Sequence, residues 1–133
     1  EDLMGKHILS VDEKVYAIDH GMRHAIVGGA ASRDIERTLE IIVFHELVRR
    51  GYEVRIGRVK EKEVDFVCQK GDERKYFQVC YMMGSEETRE REFSALLGIN
   101  DQYPKVILSL DRINFSNGGI IHKKIPEFLL EKI

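Results

Sequence analysis

The hydrophobic residues between positions 32 and 51 are spaced as in a long helix. Ser32 is the predicted N-cap, acidic residues follow in the first turn, and Gly51 ends the helix after about Arg50. Apolar side chains cover one stripe of this helix and the side opposite to it: Leu39, Val43, Leu47, Ile41, Phe44 and Val48. Because a helix that is apolar nearly all round is usually buried, we expect it to pack inside the domain.

Shorter runs typical of strands follow this helix, with turn residues between them. The predicted strands and strand-like runs span residues 13–18, 52–59, 63–69, 75–82, 105–110 and 120–122. A second helix follows Ser85 and places Phe93, Leu96 and Leu97 on one face, and shorter helical stretches are predicted at 22–27 and 126–130. This order predicts one mixed α/β domain, in which a helix leads into an antiparallel meander and a second helix crosses to a further strand.

The composition is that of a single globular domain of 133 residues, with 43% hydrophobic and 33% charged residues. These proportions exclude collagen-like, low-complexity and wholly disordered chains. Lys and Arg together number 21 and Asp and Glu 23, which gives a formal net charge of −2. A strongly basic nucleic-acid-binding chain is therefore excluded, whereas a local basic groove is compatible with this charge.

The cellular setting is predicted from three features of the chain. No apolar run approaches the ~18–20 residues of a membrane span, so no membrane partner is expected. Cys68 and Cys80 do not make a disulfide framework, and a reducing cytoplasm is the expected compartment. Because the chain begins at Glu1 without an initiator Met, we expect it to be a piece of a longer protein.

Carboxylates within the apolar stripe of the long helix are the first candidates for chemistry. Glu36 and Glu40 lie inside the stripe, and Glu46 borders it. Burying a carboxylate is costly unless it is paired, hydrogen-bonded or bound to a metal. Either a structural ion pair with Arg or Lys or a functional carboxylate fits this pattern.

Asp65 is a second candidate, because it lies between apolar residues in the predicted strand 63–69. If Gly71 and Asp72 are the two loop residues of a hairpin, Asp65 lies directly opposite Gln78. Cβ atoms of directly opposed residues are ~4.5–5.5 Å apart, so these polar ends could share one ligand. The alternative is an exposed Asp65 on a solvated strand face.

A helical Glu, a strand Asp, and a polar residue two positions before a Lys form a divalent-metal nuclease site. Oxygen ligands suit Mg²⁺, and the Lys positions or activates the attacking water. Glu40, Asp65 and Gln78 supply the first three parts, but Cys80 stands at the Lys position. Lys75 does not replace it, because it lies three positions before Gln78, an odd offset, and therefore faces the other side of the strand. The predicted site is therefore incomplete.

Other motifs exclude further classes. The chain contains neither G-x-x-x-x-G-K-[ST] nor G-x-G-x-x-G, so it does not bind a nucleotide through those loops. An H-E-x-x-H zinc motif begins at His45 but has Arg49 in place of the second histidine. The alternating charges of segment 89–92 are typical of a solvated helix face, although Arg89 and Arg91 could contact phosphate.

Six segments taken together resemble the C-terminal domain of unknown function found in prokaryotic AAA+ family ATPases. They are residues 19–23, 39–54, 63–67, 76–79, 87–92 and 101–105. The resemblance covers roughly residues 14–130. It implies a restriction-endonuclease-like, or PD-(D/E)xK, core, that is, an α/β fold whose mixed sheet has a central antiparallel meander flanked by helices.

The resemblance also implies an N-terminal P-loop ATPase module, which would bind ATP and would be the partner of this domain. By position, Glu40, Asp65 and Gln78 match the catalytic and metal-binding acidic positions, and Cys80 replaces the Lys. Mg²⁺ is the cofactor that such a site would take. We expect a degenerate nuclease-like domain that binds DNA or a protein partner and is not catalytic by itself. The alternatives are an active Mg²⁺-dependent DNase and a purely structural or oligomerisation module.

Overall fold

A long helix opens the part of the chain that the computed structural model describes, residues 32–59 and 61–132. The helices are α1 (Ser32–Arg49), α2 (Glu86–Leu97) and α3 (Ile125–Leu129). The strands are β1 (Glu53–Val59), β2 (Lys62–Lys70), β3 (Glu73–Val79), β4 (Lys105–Ser109) and β5 (Ile121–Lys124). The strand predicted at 13–18 and the helical stretch predicted at 22–27 lie outside the described residues.

The five described strands form one mixed sheet in the order β1-β2-β3-β4-β5. The pairs β1–β2 and β2–β3 are antiparallel, whereas β3–β4 and β4–β5 are parallel. Helix α2 connects β3 to β4, as a parallel pair requires. The predicted α/β fold, with a mixed sheet, an antiparallel meander and flanking helices, is confirmed.

The β2–β3 hairpin has the predicted register. Lys70 pairs with Glu73, and the ladder runs back to the pair Phe66–Phe77. The turn between the strands depends on Gly71, whose φ of 60° lies in the left-handed region that favours glycine. Residues 65 and 78 are therefore the next opposed positions beyond the ladder.

Two hydrophobic clusters provide the core. Buried residues of α1 and α3 belong to one cluster, and those of α2 belong to the other. Both apolar sides of α1 are buried as predicted, except that Val48 is 48% exposed. Leu97, predicted on the buried face of α2, is 59% exposed because it is the last residue of that helix. The two free thiols are buried in different clusters, Cys68 in the first and Cys80 in the second.

Arg50 joins the end of α1 to α3. Its guanidinium donates to Glu46 Oε2 (2.7 Å), to Glu131 Oε1 (3.1 Å) and to the carbonyl oxygen of Phe128 (2.6 Å). It also lies 4.2 Å from the centre of the Phe128 ring. Hydrogen bonds from Arg49 and Arg50 lower the pKa of Glu46 to about 2, against the opposing effect of its burial. For Glu46, the ion-pair alternative is thus confirmed.

Candidate functional site

A cavity of about 270 Å³ opens where β2 and β3 separate, and α1 and α2 complete its walls. Glu40 reaches it from α1, Asp65 from β2 and Gln78 from β3. The structure therefore brings the three residues predicted from the sequence around one space. Glu40 is half-buried, and Asp65 and Gln78 are buried.

The regular ladder between β2 and β3 ends at the pair Phe66–Phe77. Beyond it, the side chains of Asp65 and Gln78 make the hydrogen bonds between the two strands. Gln78 Oε1 accepts from the backbone N–H of Asp65 (2.9 Å), and Gln78 Nε2 lies 3.4 Å from the carbonyl oxygen of Glu63. In return, Asp65 Oδ2 accepts from the backbone N–H of Val79 (2.8 Å). The side-chain amide of Gln78 thus acts as a peptide group of the neighbouring strand, accepting from one residue of β2 and donating to another.

This arrangement predicts that Gln78→Glu destabilises the domain. A carboxylate cannot donate to the Glu63 carbonyl, and it would place a buried charge beside Asp65. We expect the free energy of unfolding to fall by about 2–3 kcal/mol at neutral pH, measured by urea denaturation. The deficit should shrink toward pH 4, where the introduced carboxyl becomes protonated.

Gln69→Glu is the matched control, because Gln69 lies on the same strand pair and its Nε2 also donates to a carbonyl oxygen, that of Gly71 (2.7 Å), but at an exposed position where water can replace the donor. Its Oε1 accepts from Arg74. The new carboxylate would retain that contact as an ion pair, so stability should change by at most about 0.5 kcal/mol. Equal stabilities of the Gln78→Glu variant and the unmodified chain would show that the amide does not bridge the strands.

Glu36 also caps a backbone group near the cavity. Its Oε2 accepts from the N–H of Tyr81 (3.1 Å), two residues beyond the end of β3. The sequence left open an ion pair or a functional carboxylate for this position; the structure shows a hydrogen bond to the backbone. The backbone of this segment stays hydrogen-bonded to the β4 side, since the N–H of Cys80 donates to the carbonyl oxygen of Leu108 (3.0 Å). Strand β3 itself ends at Val79, earlier than the predicted run 75–82.

Glu92 belongs to segment 89–92, whose alternating charges predict a solvated helix face, but the structure places it at the cavity. Glu92 is half-buried and lines the cavity. Burial raises its pKa, and the negative charges of Glu36 and Glu40 raise it further, while Arg91 and a hydrogen bond with Gln78 oppose them. The signal for this position was its spacing, because residues 92, 95 and 96 share one helix face and the last two are apolar.

Cys80 lies in the apolar cluster with Met83 and Phe93 and is fully buried. Burial raises the pKa of its thiol far above the usual range, and the negative charge of Glu92 raises it further. The thiol is therefore neutral at physiological pH and supplies no positive charge to the cavity.

The described residues do not form a metal cage. Within residues 32–59 and 61–132, no group of three or more His, Cys, Asp or Glu side chains is placed to hold a metal ion. Two of the predicted donors, Asp65 Oδ2 and Gln78 Oε1, already accept backbone N–H groups. These side chains do not fit a bound Mg²⁺, and no metal-dependent step follows from the geometry.

A buried Ser–His–Asp chain lies at the other end of the sheet. His122 Nδ1 accepts from the N–H of Phe115 (2.8 Å), so Nε2 carries the proton and donates to Ser109 Oγ (2.7 Å). The Ser109 hydroxyl in turn donates to Asp111 Oδ2 (2.7 Å). Because the histidine donates to the serine, it does not act as the base that a nucleophilic serine needs. These hydrogen bonds between His122, Ser109 and Asp111 therefore have a structural role.

The buried His122 predicts a loss of stability in acid. Burial lowers its pKa below the usual 6.5, with Asp111 opposing this effect and Lys124 adding to it. The unfolded chain therefore takes up a proton below pH 6.5 before the folded one does, so stability falls as the pH decreases below 6.5. His122→Asn keeps an acceptor for Phe115 and should flatten this slope in urea denaturation.

The exposed His45 provides the control for this slope, since His45→Asn removes a histidine that is not buried. An unchanged slope between pH 6.5 and 5 in the His122→Asn variant would contradict the assignment of this acid sensitivity to His122.

Comparison with known proteins gives one relative with no recorded activity. An uncharacterized protein of Haemophilus influenzae is 39% identical to this chain over 108 residues, which are 81% of the chain and 26% of that protein. The chain thus spans about a quarter of that relative. No protein-family model matches the chain, and no solved structure matches it. Within the described part of the chain, no helix is long and apolar enough to cross a membrane.

Proposed function

We propose that this domain is a non-catalytic, nuclease-like accessory module of an AAA+ family ATPase, and that it binds nucleic acid. The order of helix, antiparallel meander, crossing helix and parallel strand supports a restriction-endonuclease-like core. The cavity where β2 and β3 separate is lined by Glu40, Asp65 and Gln78, which also supports the proposal.

The observation that carries the proposal is the structural role of two residues, Gln78 in β3 and Cys80 just beyond its end. Gln78 bridges to β2 through an amide that both accepts and donates, and Cys80 is a neutral thiol inside an apolar cluster. A hydrolytic site would need a strong oxygen ligand for the metal at position 78 and a cation at position 80. Both positions serve the fold, which favours binding over cleavage.

Two further observations support the wider setting. The Haemophilus influenzae relative extends well beyond the 26% of its length that this chain matches, which is compatible with a module of a longer protein. The proposed partner is an ATPase module in the same polypeptide, which would carry the ATP site. Cys68 and Cys80 are free thiols, as expected in a reducing cytoplasm.

One observation favours the enzyme alternative. Glu92 adds a carboxylate with a raised pKa to a cavity that already contains Glu40 and Asp65, and acids with such pKa values are common at catalytic sites. An active DNase built on this cavity is the second candidate function. A DNA-cleavage assay of the unmodified chain separates an active DNase from a non-catalytic binding module.

Binding is tested by the fluorescence anisotropy of labelled single-stranded and duplex DNA with the 133-residue chain. We expect dissociation constants of roughly 10⁻⁴–10⁻⁶ M that weaken as salt rises. No anisotropy change at about 50 mM salt would contradict the proposal. That result would favour the alternative of a purely structural or oligomerisation module.

A further inference from the structure

Two cations on the rim of the cavity come from different elements. Lys62 is the first residue of β2 and Arg91 lies within α2, and both are exposed and line the cavity. Lys62 Nζ donates to Ser94 Oγ (2.8 Å), and Ser94 Oγ donates to the carbonyl oxygen of Arg91 (2.9 Å). Ser94 therefore holds the ammonium group of Lys62 against α2, one helical turn from Arg91.

These cations are not used in ion pairs within the described part of the chain. Elsewhere, basic side chains meet carboxylates, as in the pairs Lys105–Asp101 (2.9 Å) and Lys123–Glu131 (2.6 Å). Neither Lys62 nor Arg91 forms such a pair with a described carboxylate, although the cavity between them is lined by acidic residues. Within the described residues, most of the hydrogen-bond donors of both groups are not engaged by protein atoms.

The charge distribution of the cavity selects among anions. Its deeper wall contains the buried Asp65 and the half-buried Glu36, Glu40 and Glu92. Backbone N–H groups donate to Asp65 and Glu36, and burial together with the charges of Glu36 and Glu40 raises the pKa of Glu92. The remaining negative potential opposes a doubly charged phosphate monoester more than a singly charged phosphodiester. A diester that stays at the rim meets the two cations and also the exposed Glu63, which follows Lys62 on β2.

We propose that Lys62 and Arg91 hold the phosphodiester backbone of a nucleic-acid strand across the rim of this cavity. This assignment rests on the proposed function, nucleic-acid binding, and names the residues that contact the phosphates. Lys62 supplies a point charge, and Arg91 supplies a planar fork of donors suited to phosphate oxygens. The contacts are independent of base identity, so the site should bind many sequences.

The experiment measures the salt dependence of single-stranded DNA binding by the 133-residue chain. Lys62→Gln and Arg91→Gln should each weaken binding by about tenfold at ~50 mM salt and lower the slope of log K against log salt by about 0.7. The charge-conserving variants Lys62→Arg and Arg91→Lys should retain the slope. Inorganic phosphate should compete no better than an equal ionic strength of chloride.

Matched controls lie far from the rim. Lys70→Gln changes an exposed lysine at the other end of β2, ~26 Å away at 3.3 Å per residue. Arg49→Gln changes an exposed arginine at the end of α1, ~20 Å along the helix from Glu36. Both should leave the slope unchanged, and thermal unfolding should show all variants folded.

The possible outcomes separate the two proposals. If the unmodified chain binds and the rim variants behave like the Lys70 and Arg49 controls, the rim assignment is overturned while nucleic-acid binding stands. If the unmodified chain does not bind DNA, both are overturned. If single charge changes at Lys62 and Arg91 lower the slope and the conservative variants restore it, the assignment holds.

Discussion

Arg50→Ala is expected to lower the free energy of unfolding by about 3 kcal/mol, because several hydrogen bonds made by one charged, largely buried group are lost together. Only 11% of the Arg50 side chain is exposed, and it contacts Glu46, Glu131 and the carbonyl oxygen of Phe128 at once. The substitution removes all three hydrogen bonds and the packing on the Phe128 ring. Urea denaturation measures the loss.

The neighbouring Arg49 is the control for this effect. It pairs with the same Glu46, but 59% of its side chain is exposed, and this pair lies within α1 and connects no two elements. Arg49→Ala should therefore destabilise the domain far less than Arg50→Ala. Equal losses for the two variants would contradict the view that Arg50 stabilises the fold by joining α1 to α3.

The hairpin register could be predicted from the sequence because one turn fixes it. Gly71 and Asp72 allow a two-residue loop, and every pair back to Phe66–Phe77 then follows from the antiparallel geometry. The same reasoning placed residue 65 opposite residue 78. It could not show that the ladder stops there, because strand separation depends on the packing of α1 and α2 against the two strands.

The rest of the candidate site could not be predicted for a related reason. Lys62 meets Ser94 across 32 positions of sequence, and Glu92 reaches the cavity only because α2 buries Leu96 on the same face. The contact between Ser109 and His122 likewise arises because β4 and β5 are neighbours in the sheet. Sequence periodicity identifies a buried face, but it does not identify what the face meets.

The unmodified chain is expected to cleave no DNA in Mg²⁺ or Mn²⁺, whether the substrate is single-stranded, duplex or branched. Hydrolysis would need a metal to neutralise charge on the phosphate and a cation beside the attacking water. Cys80 is neutral and buried, and the Gln78 amide, a weaker ligand than a carboxylate, is engaged with β2. In the proposal above, Lys62 and Arg91 contact phosphates at the exposed rim of the cavity.

The central claim, a nuclease-like site that does not catalyse, is tested most directly by a cleavage assay of the unmodified chain beside Asp65→Asn. The introduced amide retains an oxygen that can accept from the Val79 N–H, so the pair isolates the carboxylate charge while preserving the strand contact. We predict that both proteins leave end-labelled DNA intact in Mg²⁺ and in Mn²⁺, with an active DNase as the positive control. Metal-dependent cleavage by the unmodified chain that the Asp65→Asn variant lacks would contradict the account and establish the enzyme.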